Sequence, residues 1–228
     1  PQSGGLLNAR GIDFGPDGNL YVSGEADNGT LGYVNRYDAT TGRFIDRFAS
    51  HPNMNGAKDV EFGPDGNLYV PNNFGHNVYR FNGTTGAFMD VFIAAGSGGL
   101  TVPRSLIFGP DGNGDGNLDV YITSAATDNV LRFDGVTGAF LDSFVAPGSG
   151  GLNDPTALVF GPDGDLFVGS GAHSDYYNSI LRYNGTTGAF KGVFVSAGSA
   201  GLTLAPTAGV IFGPDVNNDN MQDLYVSN

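Results

Sequence analysis

The segment Phe14-Gly15-Pro16-Asp17-Gly18-Asn19-Leu20-Tyr21-Val22 recurs along the chain and decides the fold. Residues 62–70 repeat it without a change, and Phe-Gly-Pro-Asp begins again at Phe108, Phe160 and Phe212. Successive anchor phenylalanines are 48, 46, 52 and 52 residues apart. Self-similarity at such a period indicates one supersecondary module that stacks on copies of itself.

Each unit contains four short apolar segments that predict β-strands. The first leads into the Phe anchor, and the second follows the Pro-Asp turn, as in residues 19–22 and 67–70. The third and fourth segments are predicted at 77–81 and 87–92, 129–133 and 139–144, and 179–183 and 189–194. Asn-Gly and Gly residues between them supply the positive φ angles that tight hairpins need. After the fourth segment, the glycine-rich residues 96–100 predict a flexible crossing to the next blade. No window keeps a period of 3.6, so no helix longer than a turn is predicted.

The period and the strand count predict an all-β fold, a β-propeller of four-stranded antiparallel blades. Residues 1–228 form one propeller segment, with blades at about 6–53, 54–100, 101–152 and 153–202 and half a blade at 203–228. Propellers close their ring to remove exposed sheet edges. The first eight residues cannot supply the two missing strands. We therefore expect the native chain to continue beyond Asn228, and before Pro1, so that other chain segments complete a ring of six or seven blades.

The composition is strongly acidic. The chain contains ten Lys and Arg residues and 23 Asp and Glu residues, which gives a formal net charge of −13. Such a surface is a poor partner for nucleic acid and for anionic membranes. No stretch is apolar and long enough to span a bilayer, so direct membrane insertion is not expected. Cysteine is absent, which excludes disulfides and thiol chemistry and leaves the compartment undecided.

The blade motifs carry a family resemblance. Phe-Gly-Pro-Asp-Gly-Asn-Leu-Tyr-Val over 62–70, followed by Asn-Val-Tyr-Arg-Phe over 77–81, resembles the NHL-type propellers. That group is similar to virginiamycin B lyase and to the gluconolactonase-like propellers. The resemblance covers essentially the whole chain, and its motifs specify the blade rather than an activity.

Two units have an expanded acidic hairpin after the Phe anchor. One runs from Asp111 to Asp119 and the other from Asp215 to Asp223. Both loops place oxygen-bearing side chains at positions one, three, five and nine, and Ca²⁺ takes six to eight oxygens at roughly 2.3–2.6 Å. Position seven would contribute a backbone carbonyl. Position six needs a residue that tolerates positive φ, which Gly116 and Asn220 do.

These loops resemble the FG-GAP calcium hairpins of integrin-type propellers and the first half of an EF-hand loop. The resemblance implies two structural Ca²⁺ sites, with the ligands Asp111, Asn113, Asp115, Asn117 and Asp119 in one loop and Asp215, Asn217, Asp219, Met221 and Asp223 in the other. Asn stands at the third position of both loops, and the second loop lacks the glycine. The alternative is a pair of acidic, solvated turns, because Asp also favours turns.

Three adjacent units place a cation four residues before the anchor, at Arg10, Lys58 and Arg104. First strands line the channel of a propeller, so these side chains could form a basic collar that contacts an anionic ligand. The alternative, which we favour, is pairing with nearby carboxylates such as Asp13, Asp59 or Glu61. The arginines that recur in every complete blade, Arg36, Arg80, Arg132 and Arg182, are assigned to structure, because a unique active site would break the repeat.

The other candidate residues have structural explanations of equal weight. Three histidines, at 51, 76 and 173, lie at unrelated blade positions and do not align into a catalytic or metal-binding set. Asn-Gly-Thr at 28, 82 and 184 matches the glycosylation pattern, although the hairpin turn explains two of the three. The inserted loop 170–178 carries two tyrosines suited to carbohydrate or protein contacts, or to packing.

Two functions follow as hypotheses. The first is a non-enzymatic, calcium-stabilised propeller, secreted or on the cell surface with the periplasm as an alternative. It would act in binding, adhesion or scaffolding, with a protein or a glycan as partner. The second is a lyase or lactone hydrolase with its site in the central channel, where the visible candidates are Arg10, Lys58, Asp59 and Arg104.

Overall fold

The computed structural model describes residues 4–25, 31–171, 179–199 and 209–227. These residues form four antiparallel four-stranded sheets and one two-stranded sheet, arranged as the blades of a β-propeller. In every sheet the strands are adjacent in chain order, so each blade is a simple meander. The predicted fold class is confirmed. No helix among the described residues is long and apolar enough to cross a membrane.

The strands follow the repeat. The first blade contains β1 (Ile12–Phe14), β2 (Leu20–Glu25), β3 (Gly32–Tyr37) and β4 (Phe44–Ser50). The second contains β5 (Glu61–Phe62), β6 (Leu68–Asn72), β7 (Asn77–Phe81) and β8 (Phe88–Ile93). The third contains β9 (Pro103–Gly109), β10 (Asp119–Ser124), β11 (Asn129–Phe133) and β12 (Phe140–Val145). The fourth contains β13 (Pro155–Phe160), β14 (Leu166–Ser170), β15 (Ser179–Tyr183) and β16 (Phe190–Val195), and the fifth sheet pairs β17 (Val210–Gly213) with β18 (Asp223–Val226).

Neighbouring blades are joined by a repeated aromatic contact. From the second blade onward, the anchor Phe meets, edge to face, the aromatic residue on the second strand of the preceding blade. The ring centroids are 4.8–5.0 Å apart in the pairs Tyr21–Phe62, Tyr69–Phe108, Tyr121–Phe160 and Phe167–Phe212. This geometry is the preferred one for aromatic pairs, because the positive ring edge faces the negative ring face. The anchor therefore recurs because each copy fills the same junction.

The glycine after the anchor is required by this junction. A Cβ atom on Gly63 would lie 2.6 Å from Cε2 of Tyr69 and 2.9 Å from Cζ of Phe108. A Cβ on Gly109 would meet the next pair of rings just as closely. Because protein interiors are close-packed, a larger side chain would separate the two blades. The Phe-Gly dipeptide is thus a packing motif.

The crossing between blades was predicted as a flexible segment, and the structure instead shows an ordered turn. Residues Ser97–Gly99 and Ser149–Gly151 form short 3₁₀ turns. The leucine that follows each turn, Leu100 or Leu152, is buried in the core. Gly98 packs against the Phe140 ring, and a Cβ atom there would lie 2.0 Å from Cδ2 of that ring. Glycine at the crossing therefore permits close contact with the following blade.

The recurrent arginines are structural, as predicted. Arg80 donates from Nε and Nη2 to Asp90 on the fourth strand, at 3.2 and 2.5 Å, and lies over the Phe92 ring at 5.2 Å. Arg36 and Arg132 make the same paired contact in their own blades. Paired hydrogen bonds of this kind fix both the distance and the plane of the guanidinium group.

In the fourth blade, the recurrent arginine has different carboxylate partners. Gly192 stands opposite Arg182, where the other blades have Asp. Arg182 instead pairs with Asp163 and Asp165 of the first hairpin, and Lys191 also reaches Asp165. The arginine position is therefore constant although its carboxylate partner has moved.

We predict that Phe108→Ala destabilises the protein by about 3 kcal/mol, as for other core Phe truncations. The ring packs against Tyr69, so its removal opens a gap between two blades. Phe14→Ala is the matched control, because Phe14 occupies the same repeat position but is 64% exposed. Urea unfolding would measure both variants, and equal losses of stability would contradict this account of the junction.

Candidate functional site

The first acidic loop, residues 111–119, is folded around its own carboxylates. Asp111 accepts the backbone N–H groups of Gly114 and Gly116 at 2.6 and 2.8 Å. Asn113 Oδ1 accepts the N–H of Asp115 at 2.9 Å, and Asp115 Oδ1 accepts that of Asn117 at 2.7 Å. Each side chain at an odd position thus holds the backbone ahead of it, and the backbone N–H bonds hold the pKa of Asp111 below its usual value.

The second acidic loop, residues 215–223, repeats three of these four hydrogen bonds. Asp215 Oδ2 accepts the N–H of Asn220 at 2.8 Å. Asn217 Oδ1 accepts the N–H of Asp219, and Asp219 Oδ1 accepts that of Met221, both at 2.9 Å. The two loops differ at several positions and still adopt one conformation. This conformation is therefore a property of the oxygen-bearing side chains at alternate positions.

The backbone angles agree with the turn requirement at position six. Gly116 has φ of 87° and Asn220 has φ of 69°, both in the left-handed region. Position four is also left-handed, at Gly114 and Asn218. The sequence contains Gly or Asn at this second position as well, which was the signal that could have identified it.

Asp119 closes the first loop from the start of β10. Its side chain is almost fully buried, with a residue exposure of 1%, and its Oδ2 accepts the N–H of Gly112 at 2.8 Å. The other oxygen, Oδ1, is buried and has no hydrogen-bond partner. Burial raises the pKa of Asp119, and the negative charges of Asp111 and Asp115 add to the rise. An unpartnered buried carboxylate oxygen is costly, and a bound cation would remove that cost.

The predicted ligands lie within one loop in each case. Their carboxylate groups alone are not close enough together to form a metal site. In the described part of the chain, no group of three or more His, Asp or Glu side chains is close enough to hold a metal ion without other donors. Calcium would therefore also need the Asn oxygens and backbone carbonyls of the predicted sets. Met221 is 65% exposed, which suits a position that contributes only its carbonyl. The two ligand sets remain a prediction.

The three collar cations lie near one another, and each is paired. Glu25 bridges two of them, with 3.3 Å to Arg10 and 2.6 Å to Lys58, and it is itself buried. Arg104 pairs with Asp154 at 2.7 Å. Burial lowers the pKa of Lys58, and the charges of Arg10 and Arg104 contribute in the same direction. In the described part of the chain, each collar cation therefore pairs with a carboxylate, but the partners are Glu25 and Asp154 and not the expected Asp13, Asp59 or Glu61. A contact of the collar with an anionic ligand stays a prediction.

The acids proposed as collar partners have a different role. Asp13, Asp59 and Glu61 line a channel cavity of about 530 Å³ together with Arg10 and the Tyr225 ring. Burial raises the pKa of Asp59 to about 6 and that of Glu61 to about 9. The Asp59-Val-Glu61 spacing at the start of a predicted first strand was the signal for this pair, because alternate residues of extended backbone share one face.

These acids also connect successive blades. Asp13 accepts the N–H of Phe62 at 2.9 Å. Asp59 accepts hydrogen bonds from the Ser105 hydroxyl at 2.8 Å and from the N–H of Leu106 at 3.2 Å. Carboxylates on the first strands therefore satisfy backbone donors of the next blade around the channel.

The histidines that the structure describes lie apart. His51 stacks near Tyr79 and Phe88, with ring centroids at 4.9 and 4.5 Å. His76 Nδ1 accepts the N–H of Val102 at 2.9 Å. His173, most of the 170–178 insertion and the Asn28 acceptor pattern lie outside the described residues.

The Asn-Gly-Thr patterns at Asn82 and Asn184 serve as turn caps. Asn82 Oδ1 accepts the N–H groups of Thr84 and Thr85 at 3.1 and 2.9 Å, and Asn184 makes the same contacts. The turn therefore accounts for these two asparagines without a sugar.

Blades, junctions and channel together define a β-propeller. No protein-family model matches the sequence, and no curated protein matches it. Among solved structures, an auxiliary nutrient binding protein from Bacteroides ovatus is similar with TM-score 0.66 and 16% identity over 97% of this chain and 53% of that one. Hydrazine synthase from Kuenenia stuttgartiensis is similar with TM-score 0.63 and 18% identity over 85% and 50%. Virginiamycin B lyase from Staphylococcus aureus is similar with TM-score 0.53 and 13% identity over 78% and 56%.

These similarities concern the fold. The chain spans about half the length of each of these three proteins. Their names describe a binding protein and two enzymes, so one fold carries different activities among them.

We predict that Glu61→Gln raises Tm relative to the unmodified protein, by an amount that grows from pH 5 to pH 8.5. The pKa of Glu61 rises from 4.5 to about 9 on folding. Its stabilising contribution is therefore fully present below pH 4.5 and is lost as the pH rises toward 9. Glutamine stays neutral over the whole pH range, so the variant keeps its stability as the pH rises.

Asp38→Asn is the control for this titration. Asp38 is only partly buried, and its hydrogen bonds with Thr41 hold its pKa below 3.8. Its substitution should change Tm by a constant amount over the same pH range. Thermal unfolding at fixed calcium would measure both variants, and a constant Tm difference for Glu61→Gln would refute the predicted burial effect.

Proposed function

We propose that this chain is a calcium-stabilised β-propeller that binds a partner outside the cytoplasm and performs no catalysis. The observation that carries the calcium proposal is Asp119 Oδ1, a buried oxygen without a partner in a loop that contains two further carboxylates. Three carboxylates in one hairpin repel one another, and a divalent cation removes that repulsion.

The residues fit a hard cation. In the first loop Asp111, Asp115 and Asp119 would supply carboxylate oxygens, with the Asn117 carbonyl and Asn113 as neutral donors. Asp215, Asp219 and Asp223 would do the same in the second loop. Backbone N–H groups already hold the carboxylates at positions one and five of both loops. Calcium would supply charge neutralisation, and the chain supplies a loop that is ordered beforehand.

The binding role is supported by where the calcium loops lie. They form the hairpins between first and second strands, and loops on a rigid scaffold commonly carry recognition. Calcium loops of this kind fill at extracellular concentrations, which favours a secreted or cell-surface location. The similar Bacteroides ovatus structure is named a nutrient binding protein. A surface protein or a glycan is the proposed partner, and a glycan array probed with the calcium-loaded chain tests it.

We predict that saturating calcium raises Tm by on the order of 10 °C relative to excess chelator, because two filled sites add several kcal/mol. The double variant Asp119→Asn, Asp219→Asn should lose most of this increment. Asp163→Asn, in an unexpanded hairpin, should keep it. Calorimetry with calcium and with chelator gives all three values, and an unmodified protein that melts alike in both would exclude the calcium sites.

The channel acids favour a second candidate function. Perturbed carboxyl groups in a cavity are typical of acid-base sites, and Glu61 would stay protonated at neutral pH as an acid while Asp59 would be ionised. This candidate is a lyase or lactone hydrolase. A panel of lactone substrates tests it, because turnover should disappear in Glu61→Gln while the calcium increment in Tm is retained.

A further inference from the structure

Asp134 lies in the hairpin between β11 and β12, beside the first calcium loop. Its Oδ1 caps the turn by accepting the N–H of Val136 at 3.2 Å and both the N–H and Oγ1 of Thr137 at 2.6 Å. The same cap is made at this repeat position by Asp38, Asn82 and Asn184. An Asn side chain is therefore sufficient for the turn.

The second carboxylate oxygen of Asp134 makes a hydrogen bond that is not part of the turn cap. Asp134 Oδ2 accepts Nδ2 of Asn113 at 2.9 Å, and the same nitrogen lies 3.2 Å from Asp115 Oδ2. One amide group thus bridges two carboxylates from different hairpins. Asp134 is buried, with an exposure of 8%, whereas the capping residues of the other three blades are only partly buried.

This contact places a fourth carboxylate at the first loop. The loop has Asn at its third position, where a carboxylate would add a negative charge. Asp134 brings that charge from outside the loop, next to the Asn113 side chain. Asp119 Oδ1 is unpartnered on the same loop, so the cluster also contains a buried oxygen that lacks a donor.

We propose that Asp134 is a further ligand of the cation in the first loop, an inference that rests on the proposed calcium function. The ion would then be held from two hairpins of the same blade. The number of charged ligands tunes calcium affinity, so the first site should bind more tightly than it would with its loop residues alone.

The second loop provides a contrast within the chain. Its third-position amide, Asn217 Nδ2, donates to Asp223 Oδ1 of the same loop at 3.2 Å. Among the described residues, the side-chain hydrogen bonds of loop 215–223 stay within the loop.

The test is calcium titration of the whole chain by calorimetry, with Asp134→Asn and Asp38→Asn compared. Asn at position 134 preserves the cap, as Asn82 and Asn184 show, and removes only the second carboxylate oxygen. We expect about a 10- to 100-fold loss of affinity at one of two sites in Asp134→Asn, with the other site unchanged. Asp38→Asn changes the same cap in a blade without a calcium loop and should bind like the unmodified chain.

The outcomes separate the two proposals. If the unmodified chain binds no calcium, the proposed function fails and the Asp134 inference fails with it. If it binds two ions and Asp134→Asn binds both with unchanged affinity, only the Asp134 inference is overturned. Melting in chelator checks the fold, because both variants should then have the same Tm within a few degrees.

Discussion

The edge-to-face contact between each anchor Phe and the aromatic ring of the preceding blade is the interaction on which the structure depends. It is repeated at four junctions with nearly the same centroid distance. The following glycine allows this approach, and the recurrent arginine stacks on the adjacent fourth-strand ring. Because the apolar core is divided into clusters that each span a pair of blades, cohesion along the propeller is a sum of nearest-neighbour contacts.

The acidic loops are compatible with these contacts between blades, because the loops change only the tip of a hairpin. The third blade keeps its aromatic junction, its arginine pair and its strand register while the tip between β9 and β10 is enlarged. The hairpin tip can therefore be enlarged while the contacts within and between blades are kept. The fourth blade shows the same tolerance at another place, where the carboxylate partner of Arg182 moves from the fourth strand to the first hairpin.

The sequence was sufficient for the fold, whereas the two sets of calcium ligands stay a prediction. Third strands over 77–81, 129–133 and 179–183 match the observed bounds, and fourth strands begin one residue later than predicted. Strand positions of this kind can be predicted from a repeat, because several copies of the unit show the same pattern. Glu25, Asp154 and Asp134 were missed, since each acts on a residue far away in the chain, and such partners depend on how blades pack. The ordered glycine crossing was also misjudged, because its role comes from contact with Phe140 of the next blade.

The blade junction has a direction. A blade contributes a phenylalanine on its first strand to one neighbour and an aromatic acceptor on its second strand to the other, so its two sides are complementary and unlike. A duplicated stretch of DNA that encodes one unit would regenerate a working joint at both of its borders. Rings of different size can thus arise from this module by copying alone, with no new interface to evolve.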